Sequence, residues 1–371
     1  MKTNIKKNTI AILNYMDILN PKSGGAERYC HEMAKRLAEN GFNVIFISAS
    51  FKGSKKEEKY CGYTIRRIGS LKTVYFLGII ELVKIRNLKF IFESINAIPF
   101  LFTIFFRKNK IRMIHHIVPF ETIREKVHNS LIAKAIYVLQ IYITPFLYKR
   151  SRIIVDSKST MLELKELGYK DINIVKLGVE LPQNISYNKE PIILAPGPVK
   201  PWKHIDDIIT AFSNISSDYK DYKLYIFGEF ENLEYEKYCR ELIKNLNLDT
   251  KVNFLGRISE FEKNALFSEA YITVLATEKE GWGLVAMESQ SFGTPVVAYD
   301  VPGIRDSVIN GETGILVKYK DIDALAEKIK ILLDNKKLWQ KLSKNAIERS
   351  KLYSWNECYN DFKNVMLKFN I

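Results

Sequence analysis

The chain has 371 residues, of which 47% are hydrophobic and 26% charged, so it is long enough for two domains and wholesale disorder is excluded. Its formal charge is +14 and is unevenly distributed. Residues 1–188 contain 31 Lys and Arg against 15 Asp and Glu, a net of +16, whereas residues 189–371 contain 25 against 27, a net of −2. This asymmetry indicates an anionic partner for the first half, either a membrane surface or nucleic acid.

The first half alternates strand and helix patterns. A short basic leader over residues 1–12 runs into a predicted strand at 9–14, and Gly24-Gly25 opens a predicted helix over 26–40. Short strands separated by helices are typical of parallel βαβ units in a doubly wound sheet. The other strands predicted in this half are 43–48, 63–68, 90–93, 112–115, 152–155 and 172–176.

No membrane-spanning helix is expected from the hydropathy pattern. The longest apolar stretch, residues 90–106, is interrupted by Glu93, Asn96 and Pro99, and a spanning helix needs about 20 mostly apolar residues. The four cysteines are scattered without a CxxC pair, which argues against a disulfide framework or a structural zinc site and favours a reducing compartment.

The alternation lapses over residues 178–188, which predicts a linker, and then restarts with helices expected at 204–213 and 235–245. The pattern therefore predicts an α/β protein with two similar domains, residues 1–183 and residues 189–353. The strands predicted in the second half are 191–195, 223–227, 252–255, 271–275, 296–299 and 314–317.

The densest chemical signal lies in residues 276–289, where a strand ends, glycines turn the chain and a helix begins at about residue 284. The unpaired N–H groups of a first helical turn, together with the helix dipole, form a seat for an anion. Glu280 and Glu288 flank this seat, and carboxylates accept hydrogen bonds from sugar hydroxyls. Spacing alone is equally compatible with a plain strand-to-helix turn, in which Glu280 lies near a cap and Glu288 on a solvated face.

Residues 252–317 resemble the retaining glycosyltransferases of family 4, also called glycosyltransferase group 1. The glutamate pair separated by seven residues defines that family, and Glu-Gly-Trp-Gly-Leu at 280–284 is a common variant of its motif. Gly-Thr-Pro-Val-Val at 293–297 and Gly-Glu-Thr-Gly at 311–314 also match. The resemblance implies the GT-B architecture, in which two Rossmann-like doubly wound domains face a central cleft, with a C-terminal helix at 354–371 packing back on the first domain.

The same resemblance implies roles for individual residues. Glu288 would bind the ribose hydroxyls of a nucleotide-sugar, and Glu280 would bind the donor sugar. Backbone N–H groups of four consecutive residues would contact sugar or phosphate: Gly281, Trp282, Gly283 and Leu284.

A second signal is the loop Ala-Pro-Gly-Pro-Val-Lys-Pro-Trp-Lys-His at 195–204, just after a predicted strand. A lysine on such a loop can neutralise a diphosphate, and in the family this loop carries an arginine and a lysine that bind the donor phosphates. Lys203 matches the lysine, whereas Pro198 stands at the position of the arginine. Lys200 is a substitute for that arginine, although a lysine lacks the bidentate fork of a guanidinium. Taken alone, Lys203 would be interpreted as a solvated loop lysine, whereas its place in this loop favours the phosphate role.

A third signal is the pair His115-His116 at the end of a predicted strand, because the carboxyl ends of strands in a doubly wound sheet border the ligand crevice. Family members often carry an active-site histidine here, and we expect His116 in that role, with His115 as the alternative. Gly24 and Gly25 resemble the glycine loop of the family's first domain, which contacts substrate at the interdomain cleft.

The basic first half contains apolar stretches bordered by cations between residues 71 and 152. Such helices suit an anionic membrane surface, and they are also compatible with core helices whose lysines mark solvated ends. The segment 105–108, Phe-Phe-Arg-Lys, is the preferred membrane contact. Nucleic acid is not expected as a partner, since no nucleic-acid motif occurs. Asp321 and Asp323 have the spacing of a metal-binding Asp-x-Asp, but they precede a helix and are interpreted as N-terminal capping residues.

The resemblance thus implies a metal-independent enzyme without a cofactor. It would transfer a hexosyl unit, with retention, from a UDP- or GDP-sugar to an acceptor hydroxyl, the acceptor being a lipid-linked or cell-surface glycan precursor. The expected location is cytoplasmic and peripheral at the membrane. Two alternatives are a GT-B enzyme of other chemistry, such as a nucleotide-sugar epimerase, and a non-catalytic nucleotide-sugar-binding protein.

Overall fold

The computed structural model describes residues 8–107, 109–127, 129–230 and 232–368. The chain divides into two compact units, Met1–Leu177 with Trp355–Ile371 and Gly178–Ser354. The basic leader predicted over residues 1–12 therefore lies partly outside the described residues.

The first unit is built on an eight-stranded sheet of order β3-β4-β2-β1-β5-β6-β7-β8, parallel except for β3, which pairs antiparallel with β4. Its inner strands are buried on both faces because helices cover both sides of a parallel sheet, and all five residues of the first strand are buried. The strands are β1 (Thr9–Leu13), β2 (Asn43–Ser48), β3 (Glu57–Tyr60), β4 (Tyr63–Arg67), β5 (Leu88–Ile95), β6 (Asn109–Ile114), β7 (Arg152–Val155) and β8 (Asp171–Ile174).

Helices follow most of these strands. A π-helical turn at Leu139–Ile143 joins two of them into one continuous helical segment, Ser130–Tyr148, which we call the 130–148 helix. A 3-10 helix lies at Leu101–Phe105. The α-helices are α1 (Gly25–Glu39), α2 (Val74–Lys84), α3 (Phe120–Val127), α4 (Ser130–Val138), α5 (Thr144–Tyr148) and α6 (Lys158–Glu166).

The second unit has a six-stranded, fully parallel sheet of order β11-β10-β9-β12-β13-β14. Its strands are β9 (Glu190–Pro196), β10 (Lys223–Phe227), β11 (Val252–Gly256), β12 (Ala270–Leu275), β13 (Val296–Tyr299) and β14 (Gly314–Val317). Its helices are α7 (Ile205–Ser213), α8 (Leu233–Asn245), α9 (Glu260–Glu269), α10 (Leu284–Ser291), α11 (Ile304–Ser307), α12 (Ile322–Asp334) and α13 (Lys336–Lys351).

The last helix, α14 (Trp355–Leu367), belongs to the first unit, where the Phe362 ring lies 5.2 Å from that of Phe92 in β5. Asp321 caps α12, since its Oδ1 accepts from the Ala324 N–H at 2.9 Å. This contact confirms the interpretation of the Asp-x-Asp spacing as helix capping. Together the two doubly wound α/β units confirm the predicted fold class.

Candidate active site

Two loops of the second unit meet at the edge of its sheet. The strand order reverses between β9 and β12, so the loops that leave these neighbouring strands open at the same edge, where ligands bind in doubly wound sheets. The Glu278 N–H donates to the Trp202 carbonyl at 2.9 Å. The Lys203 ammonium is paired with the Glu280 carboxylate, 77 positions away. The lysine loop and the glutamate motif predicted from sequence are therefore parts of one site.

Close backbone contacts hold these loops. Gly303 has φ 83°, and a Cβ there would lie 2.2 Å from the Glu280 carbonyl oxygen. The Glu280 N–H also donates to the Pro302 carbonyl at 3.0 Å. Gly228, at φ 139°, would place a Cβ 2.1 Å from the Gly197 carbonyl oxygen. Glycine is therefore required at both positions, and sequence reasoning did not identify Gly228 because its role depends on a neighbouring strand.

Helix α10 begins at Leu284, directly after the loop that carries Glu280. Its N-cap, Gly283, is left-handed at φ 81°, and a Cβ there would lie 2.6 Å from Ser307 Oγ. The Trp282 side chain is 5% exposed, with its ring 5.2 Å from that of Tyr353, so the indole anchors the loop within its own unit. A role for residues 281–284 through backbone N–H groups, including that of the half-buried Leu284, remains a prediction.

The second carboxylate of the motif has a partner that the sequence did not reveal. Glu288 lies on α10 with 9% exposure, and its Oε1 accepts from Lys263 Nζ at 2.8 Å. Lys263, on α9, also pairs with Glu260 at 3.0 Å. No motif marks Lys263, because the contact spans 25 positions between two helices. The cation holds the Glu288 carboxylate in one place on the helix surface.

The lysine loop concentrates positive charge. Lys200 Nζ and Lys203 Nζ lie 4.8 Å and 4.7 Å from the centroid of the Trp202 ring, so two ammonium groups flank one indole. The Lys203 side chain passes close to Gly197, since its Cε would lie 3.7 Å from a Cβ at that position, an ordinary van der Waals contact. Lys200 thus provides a second cation near Lys203, the residue that matches the family's lysine. Both lie on the loop where Pro198 stands at the position of the family's arginine.

A cluster beside this loop has the composition of a metal site. His204, Asp206 and Asp207, at the start of α7, offer ligand atoms within 4.8 Å of one another. Each already has a hydrogen-bond partner: Tyr319 for His204 at 3.0 Å, Tyr235 for Asp206 at 2.5 Å and Tyr299 for Asp207 at 2.8 Å. Burial raises the pKa of Asp207 and the Tyr299 hydrogen bond opposes that shift. We interpret these groups as the polar anchor of the α7 N-terminus.

In the first unit, the two candidate histidines follow β6. His115 is 7% exposed, and its Nδ1 lies 3.0 Å from Asp156 Oδ2. Its Nε2 is buried and has no hydrogen-bond partner among the described residues. The Tyr29 ring meets the His115 ring edge-on at 5.8 Å. His116 is half-buried. Asp156, which the sequence did not single out, therefore orients His115, and the choice between the two histidines remains a prediction.

The glycine loop of the first unit follows β1. Gly24 caps α1 and donates its N–H to Glu27 at 2.8 Å, while Asn14 donates to the same carboxylate at 3.0 Å. Glu27 is 2% exposed, whereas Gly24 and Gly25 are exposed. A buried glutamate thus fixes an exposed glycine turn, and the expected contact of this turn with substrate remains a prediction.

The two doubly wound units and the family models that match them define a class of protein, the glycosyltransferases of GT-B fold. Two family models match nearly consecutive parts of the chain, "Glycosyltransferase Family 4" over residues 23–182 and "Glycosyl transferases group 1" over residues 180–349. The chain belongs to this family of glycosyltransferases. The predicted family and fold class are thereby confirmed.

Similar proteins match along almost the whole chain. An uncharacterized glycosyltransferase of Haemophilus influenzae is 26% identical over 354 residues, covering 93% of this chain and 96% of its own. Among solved structures, sucrose-phosphate synthase of Thermosynechococcus elongatus has a TM-score of 0.81 at 19% identity, covering 98% of this chain and 99% of its own. Anabaena HepE in complex with UDP-glucose has a TM-score of 0.78 at 16% identity, covering 97% and 99%. At these identities the structures establish the fold.

Proposed function

We propose that this glycosyltransferase moves a hexosyl unit from a nucleotide diphosphate-sugar to an acceptor hydroxyl, with retention at the anomeric carbon. One observation carries the proposal: the Lys203–Glu280 pair and the first turn of α10 lie in a single site, with Glu288 on the same helix. The site therefore offers a cation and N–H groups for phosphates and two carboxylates for hydroxyls. The UDP-glucose bound to HepE supports a UDP-sugar as the first donor to test, with GDP-sugars second.

The proposed step proceeds on one face of the sugar. The bond between the anomeric carbon and the diphosphate oxygen breaks, and its electron pair stays on the departing diphosphate. The acceptor oxygen bonds to the same carbon, and its proton passes to a diphosphate oxygen. Lys203, Lys200 and the N-terminus of α10 stabilise the charge that develops on the leaving group. Glu280 accepts hydrogen bonds from the donor sugar, and Glu288 accepts them from the ribose. The step uses no metal ion and no further cofactor.

We further propose that the acceptor is lipid-linked or part of a cell-surface glycan and that the protein works at the cytoplasmic face of a membrane. The net charge of +16 on residues 1–188 supports an anionic surface as partner of the first unit. Of the segment 105–108, Phe105 is 73% exposed, Phe106 is half-buried, Arg107 is exposed and Lys108 lies outside the described residues.

A donor screen tests the proposal. UDP-, GDP- and ADP-sugars are compared by thermal shift, since a ligand at 100 times its dissociation constant adds about 2.7 kcal/mol to the stability of the folded state. The best donor is then incubated with a panel of hydroxyl acceptors, and the anomeric configuration of the product is read by NMR. An inverted product would refute retention, and an altered free sugar formed without acceptor would indicate an epimerase. Wild-type transfer by both Glu280→Ala and Lys203→Ala would refute the site.

A further inference from the structure

The 130–148 helix has its apolar side outward. Seven of its large hydrophobic residues are exposed, whereas its buried face includes the polar Gln140 and Thr144. Apolar residues recur on the outer face at 131, 135, 138, 142 and 146, the spacing of one helical stripe. The exposed residues are Leu131 (80%), Ile132 (51%), Val138 (37%), Tyr142 (67%), Ile143 (44%), Phe146 (69%) and Leu147 (37%).

Specific hydrogen bonds fix this orientation. The Gln140 side-chain amide donates to the Val118 carbonyl at 2.9 Å and accepts from the Val118 N–H at 3.0 Å. Tyr148, fully buried at the end of the helix, donates to the Phe100 carbonyl at 3.3 Å. The inner face is therefore held to the first unit by polar contacts, and rotating the helix would break them.

Positive charge borders the outer face. Lys134, Lys149 and Arg150 are exposed, and Lys149 Nζ lies 5.0 Å from the centroid of the Phe146 ring. No Asp or Glu occurs in the sequence between Glu125 and Asp156. Aromatic rings with lysine and arginine at the ends of an apolar helix are typical of segments that lie at a membrane interface.

We propose that the 130–148 helix lies in the plane of an anionic lipid bilayer, with its outer face buried among the acyl chains nearest the headgroups. This inference deepens the membrane association given under the proposed function and assigns it to one surface. A second copy of the chain fits this face less well than a bilayer. A two-fold contact would bring the exposed cations of both copies, Lys134, Lys149 and Arg150, close together, and like charges repel. The short helix at residues 101–105, which contacts α5, carries exposed Phe105 and extends the same kind of surface.

A helix that lies in the plane of the bilayer makes different contacts from one that spans it. Among the described residues, the 130–148 helix is the one helix long and apolar enough to cross a membrane. The hydropathy pattern predicted no such helix, because that prediction rested on residues 90–106 as the longest apolar stretch of the chain. Spanning would place Gln140 in hydrocarbon without its Val118 partners, and unsatisfied polar groups are strongly disfavoured there. With 22% of its apolar window buried in the protein, the segment has one face for the protein and a broad one for lipid.

The first test compares two matched double variants of the full chain. Tyr142→Ser/Phe146→Ser changes two exposed residues of the helix, and Tyr187→Ser/Leu233→Ser changes two residues of the second unit that are 65% and 79% exposed. Vesicle co-sedimentation uses phosphatidylcholine with and without phosphatidylglycerol. We expect wild type and the control to bind the anionic vesicles, and the helix variant to bind at least tenfold more weakly. Equal binding by all three proteins would overturn the inference.

The second test measures depth and alternative occupants. Phe146→Trp should be quenched more by lipids brominated near the headgroup than by lipids brominated at the chain end, and the reverse order would overturn the in-plane position. Analytical ultracentrifugation that detects a dimer in wild type and a monomer in the helix variant would assign the face to a second copy instead. Thermal shift with nucleoside diphosphate is measured on every variant, so loss of vesicle binding with donor-side binding retained separates this inference from the glycosyl-transfer proposal.

Discussion

Replacing Lys203 by methionine tests whether this residue binds a diphosphate. The Lys203 side chain is 11% exposed, and methionine keeps much of its volume while removing the ammonium that is paired with Glu280. A hydrogen bond to a charged group contributes about 1.5–3 kcal/mol, so we expect a nucleoside diphosphate to bind roughly 10- to 150-fold more weakly. The corresponding nucleoside has no phosphate and should bind both proteins equally.

Part of that loss comes from Glu280 itself. Without Lys203 its carboxylate faces the incoming phosphates unneutralised, and the like charges repel. Adding Glu280→Gln to the Lys203→Met protein removes this repulsion and should recover part of the diphosphate affinity. The double variant should still transfer no sugar, because the carboxylate proposed to bind the donor sugar is gone.

Isothermal titration calorimetry with UDP, GDP and their nucleosides gives these affinities. Lys337→Met, at an exposed position of α13, controls for the loss of one positive charge from the unit. If Lys203→Met weakens nucleoside and diphosphate binding equally, the substitution has disturbed the loop and the electrostatic reasoning is refuted. Unchanged diphosphate binding would refute the assignment of Lys203.

Three further predictions concern packing and positioning. Arg112→Met should lower the free energy of unfolding by about 3–5 kcal/mol in urea melts, because it leaves buried Glu93 without its cation, and Glu93→Gln in the same chain should restore most of this loss. Burial raises the pKa of Glu93 above its usual value, so the stability that this group contributes is full below the pKa of the unfolded chain and is lost as pH rises through the higher pKa of the folded protein. In Arg112→Met this loss should extend to higher pH, because the cation that lowers the pKa of Glu93 is gone. Lys263→Met should weaken nucleoside and diphosphate binding alike, by about 0.5–1.5 kcal/mol in calorimetry, because it releases the Glu288 carboxylate. Gly303→Ala should reduce transfer at least tenfold in a product assay, since the new methyl would collide with the Glu280 backbone.

Controls separate these effects from general damage. Gly311→Ala places alanine at φ 74° with no atom within 4 Å of its Cβ, so it shares the backbone strain of Gly303→Ala but not the collision. Equal loss of transfer in both alanine variants would contradict the steric argument. Lys263→Arg keeps the cation and should bind nucleoside nearly as wild type, and a loss equal to that of Lys263→Met would contradict the ion-pair role.

The parallel strands could be predicted closely because covered strands are continuous apolar runs. Predicted and observed bounds coincide at 43–48, 152–155 and 223–227. β3 was not predicted, since Glu57–Tyr60 is a polar edge strand that pairs on one side only. Its turn places Cys61 at φ 44° and Gly62 at φ 85°, and the cysteine lacks the usual sequence signal for a left-handed residue.

The residues of the candidate site also fall into those that the sequence could predict and those that it could not. Motifs that are local in sequence, such as the Glu280–Glu288 spacing and the loop that carries Lys203, could be found without a structure. Contacts between elements could not, because no spacing rule connects Lys263 with α10 or places Asp156 beside His115. The outward apolar face of the 130–148 helix was equally inaccessible, since an apolar helical pattern is the same whether the core or a membrane covers it.

The pairing of Lys203 with Glu280 also predicts how the proposed site discriminates among ligands. Before donor binds, the cation and the carboxylate neutralise each other, so binding exchanges one ion pair for new partners. A nucleoside diphosphate without sugar binds Lys203 through its phosphates. It leaves the Glu280 carboxylate beside those phosphates without a sugar hydroxyl to donate a hydrogen bond to it. A complete nucleotide-sugar supplies phosphate for the lysine and hydroxyls for the carboxylate. We therefore expect the sugar nucleotide to bind more tightly than the diphosphate in calorimetry, and Glu280→Gln to reduce that difference. A diphosphate that binds as tightly as its sugar nucleotide would show that Glu280 does not receive the sugar.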